Sequence, residues 1–107
     1  MKQLTPAELS TWLGDPRREK PLLLDVREPW EFERARIEPA TLMPMGEVPT
    51  RIGELDAARE VVAICHHGSR SMQVAMFLEK QGFKRVHNLA GGIDAWSRTI
   101  DPAVALY

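Results

Sequence analysis

The residues best suited to covalent chemistry in this chain lie in one short stretch. Four apolar residues, 61–64, end at Cys65, which is the only cysteine of the sequence. Gly68 then permits close backbone approach, and Arg70 supplies a positive charge. A thiolate in such surroundings is a nucleophile. We therefore predict a reactive cysteine in the stretch Cys65-His66-His67-Gly68-Ser69-Arg70-Ser71.

A free cysteine is more often a small buried hydrophobe than a catalyst. The residues around Cys65 favour the catalytic interpretation. A helix expected to start at Ser71 would direct unpaired N–H groups and its dipole toward an anion, and Arg70 favours the same charge. The carboxyl end of a strand is also where open α/β sheets bind their ligands.

Two elements must position Cys65. Residues 61–64, Val-Val-Ala-Ile, show no polar alternation and predict a strand buried on both faces of a parallel sheet. From Ser71 onward the apolar residues follow helical spacing, and Gly82 is placed to end the helix. The cysteine loop therefore joins a buried strand to a helix.

The loop from Cys65 to Arg70 resembles the active-site loop of the rhodanese family of sulfurtransferases. Active members carry six residues from the cysteine to a closing basic residue, which is the spacing found here. Related phosphatases and arsenate reductases use a loop one residue longer, which fits a tetrahedral oxyanion. The longer spacing would close on Ser71, which has no guanidinium, so the resemblance favours sulfur transfer.

A second segment carries the same resemblance. It matches the rhodanese aspartate-valine-arginine signature and the residues that follow it, namely Asp25-Val26-Arg27, Glu31-Phe32 and Ile37. We expect Arg27 and Glu31 to pair and to orient a loop beside the strand ends, without taking part in the chemistry. The family usually has Gly-His where this chain has Ala35-Arg36. Arg36 changes the charge near the expected pocket, which affects substrate preference more than fold.

The other elements follow from capping signals and periodicity. We expect first an edge strand at 2–4, a helix opened by Thr5 and Pro6 with Glu8 completing a capping box, and a buried strand followed by a turn within 22–27. A short helix from Pro29, a very short strand between Pro39 and Pro44 and an amphipathic helix within 47–59 should follow. After the strand and helix around the cysteine loop, we expect a strand at 85–89 and a final helix after Gly91-Gly92.

The alternation of strands and helices predicts an α/β fold, a parallel sheet with helices on both faces. The resemblance implies the rhodanese-like three-layer fold, whose central, mostly parallel sheet has about five short strands. The resemblance covers roughly residues 4–98, and the chain length predicts a single domain over 1–107. The tail, 99–107, matches no pattern, and we expect it to be mobile.

The resemblance also implies a double-displacement mechanism. The Cys65 thiolate would take the outer sulfur of an anionic donor such as thiosulfate, and a thiophilic acceptor such as cyanide or a thiol would remove it from the persulfide. Arg70 would either hold the donor's sulfonate or brace the loop. The residues expected to bind substrate are His66, His67, Gly68, Ser69, Arg70 and Ser71. The residues expected to support them are Asp25, Arg27, Glu31 and Arg36.

The sequence predicts no metal site and implies no cofactor. Cys65, His66 and His67 are adjacent and cannot readily converge on one tetrahedral zinc, and no second cysteine or helical histidine pair completes a site. We expect His66 and His67 to point outward and to shape the rim of the pocket. His87, within a predicted strand, is expected to be structural.

Composition limits the partners. A net charge of −1 gives no reason to expect binding to nucleic acid or to an anionic membrane. One cysteine cannot form an internal disulfide, and no signal peptide or apolar run long enough to span a membrane is present, so we expect a cytoplasmic protein. The expected partners are a small anionic sulfur donor, a thiophilic acceptor and, for a relay, a sulfur-relay protein.

Two other classes of function remain to be weighed. A regulatory or interaction module could use this fold without turnover, although the intact Cys65 and Arg70 argue against it. An arsenate reductase or phosphatase is the other class, and the six-residue loop argues against that. Within sulfur transfer, the sequence leaves open both thiosulfate detoxification and persulfide relay to a biosynthetic partner.

Overall fold

The computed structural model describes residues 1–107 and contains five strands and five α-helices. Their order is β1 (Lys2–Leu4), α1 (Pro6–Gly14), β2 (Leu22–Asp25), α2 (Pro29–Arg34), β3 (Thr41–Leu42), α3 (Val48–Arg51), β4 (Val61–Ile64), α4 (Ser69–Lys80), β5 (Val86–Leu89) and α5 (Gly92–Thr99). Two 3-10 turns, Met45–Glu47 and Ile52–Glu54, flank α3. None of the helices has the length and apolar character needed to cross a membrane.

The five strands form one sheet in the order β1-β5-β4-β2-β3, and every neighbouring pair is parallel. The central strand is β4, in which Ala63 lies opposite Leu24 of β2 and Asn88 of β5. Because the strands are parallel, their carboxyl ends meet at one edge of the sheet. Cys65 follows β4 and therefore leaves the sheet at the middle of this edge. The expected parallel α/β sheet is confirmed.

The side chains of β4 serve two apolar cores, one on each face of the sheet. Val61 and Ala63 belong to a cluster that includes residues of α3 and α4. Val62 and Ile64 belong to a second cluster that includes residues of α1 and α5. All four are fully buried, and burying one valine side chain stabilises a protein by about 1.5 to 3 kcal/mol. This two-sided burial explains why the strand shows no polar alternation.

Local signals set the ends of two helices as predicted. At the start of α1 the Thr5 hydroxyl accepts from the Glu8 N–H, and the Glu8 carboxylate accepts from the Thr5 N–H. After α4, Gly82 has a φ of 97°, and the Phe83 N–H returns to the carbonyl of Leu78 at 3.1 Å. Glycine takes this left-handed conformation without steric cost.

The strand and turn expected within 22–27 are present, with β2 ending at Asp25 before the chain turns toward α2. One expectation about the elements was wrong. The helix expected within 47–59 is only the single turn of α3, since Leu55 is already extended and ends the 3-10 turn that follows. In the tail, Val104 and Tyr107 pack against the second apolar cluster.

Candidate active site

Cys65 ends the central strand, and its side chain is almost completely enclosed, with 1% of the residue exposed. The Gly68 N–H donates a hydrogen bond to Cys65 Sγ at 3.0 Å. Ser71 Oγ lies 3.3 Å from the same sulfur, but its single proton is directed to Asn88 Oδ1 at 2.5 Å, which can only accept. The Gly68 N–H would stabilise negative charge on the sulfur, since a hydrogen bond to an ionised acceptor is stronger than a neutral one.

The first turn of α4 leaves backbone donors free. Its first amide with a main-chain acceptor is that of Met72, which donates to the Gly68 carbonyl at 3.2 Å. The N–H groups of Ser69, Arg70 and Ser71 precede it and have no protein acceptor. Unpaired amides at a helix N-terminus, together with the helix dipole, attract anions. The loop can therefore accommodate negative charge through its backbone.

The start of α5 orients the other peptide groups of the loop. The Ile93 N–H donates to the Cys65 carbonyl at 2.9 Å, and the Asp94 N–H donates to the His66 carbonyl at 3.1 Å. In a trans peptide the N–H points away from the carbonyl of the same unit. The N–H groups of His66 and His67 are therefore directed away from α5. Gly92, which begins α5, is what lets the helix approach so closely.

Gly68 allows the loop to turn onto the neighbouring elements. Its φ of 102° lies in the left-handed region, and a Cβ built on it would be 3.3 Å from both Leu89 O and Gly91 N. The position thus requires a backbone conformation that favours glycine and leaves little room for a side chain. The glycine noted in the sequence is explained by both constraints.

Asn88, on β5, is a buried residue that hydrogen-bonds to the cysteine loop and to the start of α4, and it was not predicted from the sequence. It is buried, its Nδ2 donates to the Gly68 carbonyl at 3.1 Å, and its Oδ1 accepts from the Ser71 hydroxyl at 2.5 Å. The available signal was an amide side chain in a strand of a parallel sheet. Buried polar groups are nearly always hydrogen-bonded, so such a residue implies a partner.

Arg70 forms a bidentate ion pair with Glu31. Its Nη1 and Nη2 donate to the two carboxylate oxygens at 2.7 and 2.9 Å. Glu31 is buried, and the hydrogen bonds from Arg70 lower its pKa to about 2. Its carboxylate also accepts from the Glu28 N–H and from the Tyr107 hydroxyl. The loop-bracing role considered for Arg70 is thus present, and a third of its side chain remains exposed.

Arg27 does not pair with the Glu31 carboxylate as expected. It pairs instead with Asp25, with Nε at 2.9 Å and Nη2 at 2.7 Å from the two carboxylate oxygens. Both side chains are fully buried, and the guanidinium is completed by the carbonyl of Ala35 and the hydroxyl of Tyr107. Burial is the largest single influence and opposes the charge on Arg27, but the hydrogen bonds and charges of Asp25 and Tyr107 together outweigh it and raise the pKa of Arg27. The local pair fixes the turn between β2 and α2.

His66 lies in an aromatic stack at the loop. Its ring is 4.1 Å from the His67 ring and 4.1 Å from the Tyr107 ring, with interplanar angles of 24° and 10°. His67 is exposed, as expected, whereas His66 is half-buried between the two rings. Burial, followed by the nearby His67, lowers the pKa of His66, which favours its neutral form.

One cluster of possible metal ligands lies at the edge of the site. The possible metal ligands of His66, His67 and Asp94 all lie within 4.8 Å of one another. The two imidazoles are stacked at an interplanar angle of 24°, and Asp94 is paired with Arg98 at 3.0 Å. The absence of a metal site stays a prediction from the sequence.

Arg36 is not brought to the cysteine loop. It is exposed, pairs with Glu38 at 2.7 Å and lies over the ring of Phe32. Its guanidinium is therefore committed to its own segment. The expectation that it changes the charge of the pocket is not supported by these contacts.

The Glu31 pair predicts a specific acid response. The folded-state pKa of Glu31 is lowered from 4.5 to about 2, so its contribution to stability is present above pH 4.5 and is lost as the pH falls toward 2. We expect Glu31→Gln to be less stable than the wild type near neutrality, with a difference that narrows across this interval. Urea unfolding at a series of pH values measures it. A difference independent of pH would contradict the assignment.

The chain is similar to known proteins in both sequence and structure. A family model described as the rhodanese-like domain matches residues 5–99. A sulfurtransferase of Allochromatium vinosum is 40% identical over 105 residues, covering 98% of this chain and 96% of that protein. The putative sulfur carrier protein YrkF of Bacillus subtilis is 44% identical over 75 residues, covering 70% of this chain and 40% of that protein. The crystal structure of a rhodanese-like domain protein from Staphylococcus aureus has a TM-score of 0.85 at 28% identity, covering 100% of this chain and 99% of that one.

Proposed function

The chain belongs to the rhodanese-like domain family and is similar to sulfurtransferases, and from this premise we propose that it moves sulfane sulfur from a donor such as thiosulfate to a thiophilic acceptor. The transfer proceeds through a persulfide on Cys65. The observation that carries the proposal is the hydrogen bond from the Gly68 N–H to Cys65 Sγ, in a loop whose next amides are unpaired.

In the first half-reaction the Cys65 thiolate attacks the outer sulfur of thiosulfate. A new S–S bond forms on Cys65, the S–S bond of the donor breaks, and sulfite leaves with its electron pair. No proton is removed at the moment of attack, so no general base is needed. This agrees with a site in which the Gly68 N–H, a hydrogen-bond donor, lies 3.0 Å from Sγ.

In the second half-reaction an acceptor removes the outer sulfur. Cyanide attacks it, thiocyanate forms, and the Cys65 thiolate is released by cleavage of the persulfide S–S bond. The same loop donors stabilise the anion at the start and at the end of the cycle, as preformed dipoles do in oxyanion sites. A protein thiol can replace cyanide, and the similarity to a putative sulfur carrier supports a relay of this kind. A reducing compartment suits such a thiol, which must be reduced to react.

Arg70 holds the donor while Glu31 holds Arg70. Glu31 occupies one N–H of each Nη, and the remaining N–H groups of the partly exposed guanidinium have no protein acceptor. They are suited to the sulfonate oxygens of thiosulfate, since guanidinium groups bind oxyanions through paired N–H donors. Bracing and substrate contact are therefore compatible roles for this residue.

This role gives a prediction for Arg70→Ala. We expect kcat/KM for thiosulfate to fall about 10- to 100-fold, because hydrogen bonds to a charged group are lost. The kcat/KM of Arg70→Lys should lie between those of the wild type and Arg70→Ala. Arg51→Ala is the matched control, because Arg51 is equally held by glutamates, Glu47 and Glu54, and is similarly exposed, but lies on α3. Steady-state rates at varied thiosulfate measure the effect. Unchanged donor kinetics in Arg70→Ala would leave Arg70 as a brace alone.

The deciding experiment is to incubate the protein with thiosulfate alone and then with cyanide. We expect a mass gain of one sulfur atom on the intact chain, lost on addition of cyanide with formation of thiocyanate. The single cysteine assigns the adduct. If neither adduct nor turnover appears with thiosulfate or with low-molecular-weight persulfides, the proposal fails, and a regulatory module without turnover takes its place.

A further inference from the structure

Tyr107 joins two parts of the site that are far apart in the sequence. Its hydroxyl accepts a hydrogen bond from Arg27 Nη1 at 2.8 Å and donates one to Glu31 Oε2 at 2.7 Å. The two partners lie 80 and 76 residues away. One phenol oxygen thus links the buried Asp25–Arg27 pair to the Glu31–Arg70 pair.

The ring of Tyr107 makes a second set of contacts. It stacks on His66, one residue after Cys65, with centroids 4.1 Å apart. On another side it meets the edge of Trp30 at 5.8 Å. The hydroxyl therefore contacts the groups that hold Arg70, and the ring contacts the cysteine loop directly. The two kinds of contact can be removed separately by substitution.

The hydroxyl completes the coordination of Glu31. The carboxylate accepts two bonds from Arg70, one from the Glu28 N–H and one from Tyr107, which fills both oxygens. A carboxylate has about four acceptor sites, and in Glu31 all four are occupied. These hydrogen bonds fix the orientation of the carboxylate. Burial first, and the bond to Glu31, raise the pKa of Tyr107 to about 12, so the hydroxyl keeps its proton near neutral pH.

We infer that Tyr107 is a positioning residue for sulfur transfer, which fixes Arg70 toward the donor by holding Glu31. The inference rests on the proposed function, because it concerns the donor half of that reaction. Tyr107 touches no reacting atom in this scheme. Its effect passes through Glu31, so it requires Arg70 to be present.

Other contacts hold the tail in place without this hydroxyl. The Ser97 hydroxyl donates to the Val104 carbonyl, and the Val104 N–H donates to the Asp101 carbonyl at 3.1 Å. Val104 also packs against the second apolar cluster. Tyr107→Phe keeps the ring against His66 and Trp30, so this variant is expected to fold. Its thermal unfolding midpoint checks this.

The test is a double-mutant cycle of Tyr107→Phe and Arg70→Ala. We expect Tyr107→Phe alone to lower kcat/KM for thiosulfate about 3- to 10-fold, the equivalent of one hydrogen bond, and to leave kcat/KM for cyanide unchanged. In the Arg70→Ala background the same substitution should cause no further loss of kcat/KM, because Tyr107 acts on the donor only through Arg70. Leu106→Ala, at an exposed neighbouring residue, is the control and should match the wild type.

Two results would overturn the inference. One is an equal loss of both half-reactions in Tyr107→Phe, which is what general loosening of the fold produces. The other is a full additional loss in the Arg70→Ala background. If the wild type forms no persulfide with any donor, the proposed function has failed, and the same four proteins are compared by the rate of Cys65 alkylation with iodoacetamide. An additive cycle there rejects the coupling of Tyr107 to Arg70, and a non-additive one upholds it.

Discussion

Replacing Cys65 by serine is expected to abolish sulfur transfer and to leave the fold intact. Serine has nearly the same shape, and its hydroxyl would meet the Gly68 N–H and the Ser71 hydroxyl that now face Sγ. An alcohol is not ionised at neutral pH and cannot hold a sulfur atom as a persulfide. We expect turnover to fall by at least about 10³-fold, as for the loss of other covalent nucleophiles.

The measurement has two parts. Thiocyanate production from thiosulfate and cyanide gives the rate, and intact mass after incubation with donor reports the adduct, which should be absent. The thermal midpoint should shift by no more than about 8 °C, which corresponds to roughly 1 kcal/mol in a small protein. Residual turnover comparable to that of the wild type, in a folded Cys65→Ser protein, would remove Cys65 from the mechanism.

Gly92→Ala is expected to damage the site from outside the cysteine loop. Gly92 has a φ of 63°, and a Cβ there would lie 2.5 Å from the Cys65 carbonyl oxygen and closer still to the His66 carbonyl oxygen. These carbonyls accept the α5 hydrogen bonds that orient the loop peptides. Because the clash is with backbone, α5 or the loop must move. We expect a loss of about 2 to 5 kcal/mol in stability, from strain and overpacking together.

The same displacement should slow the chemistry. A shift of about 1 Å at the reacting atom can cost 10²-fold in rate, so we expect a comparable fall in kcat/KM for both donor and acceptor. Gly82→Ala is the matched control, since its φ is 97° but no atom lies within 4 Å of the added methyl group. It carries the backbone strain without the clash. If Gly82→Ala impaired sulfur transfer as much as Gly92→Ala does, close approach of α5 would not be the cause.

The parts of the site that depend on neighbouring residues were accessible from the sequence. Residues 61–64 are buried on both faces, which is what an apolar run without alternation predicts, and that strand delivers Cys65 to the middle of the sheet edge. The helix after the loop also follows from periodicity, although it begins at Ser69 rather than at Ser71. The resemblance to the rhodanese family is confirmed by the family match over residues 5–99.

The parts that depend on distant side chains were not accessible. Arg27 lies near two acidic residues, and spacing alone could not show that it turns back to Asp25 and leaves Glu31 to Arg70, 39 residues away. Asn88 and Tyr107 reach the loop only through tertiary packing. An amide within a buried strand indicates that Asn88 has a partner but not which one, and no local pattern marks Tyr107. The single turn of α3 shows that helical spacing does not fix length where packing and turn residues compete.

The enclosure of Cys65 also bears on how copies of this chain meet. A disulfide requires two sulfur atoms about 2.05 Å apart, with little freedom in the angles around them. Cys65 is the only thiol of the chain, and it is 1% exposed at the end of the central strand. Two folded copies with this enclosure cannot bring their sulfurs within bonding distance. The fold therefore opposes disulfide cross-linking between copies of this chain.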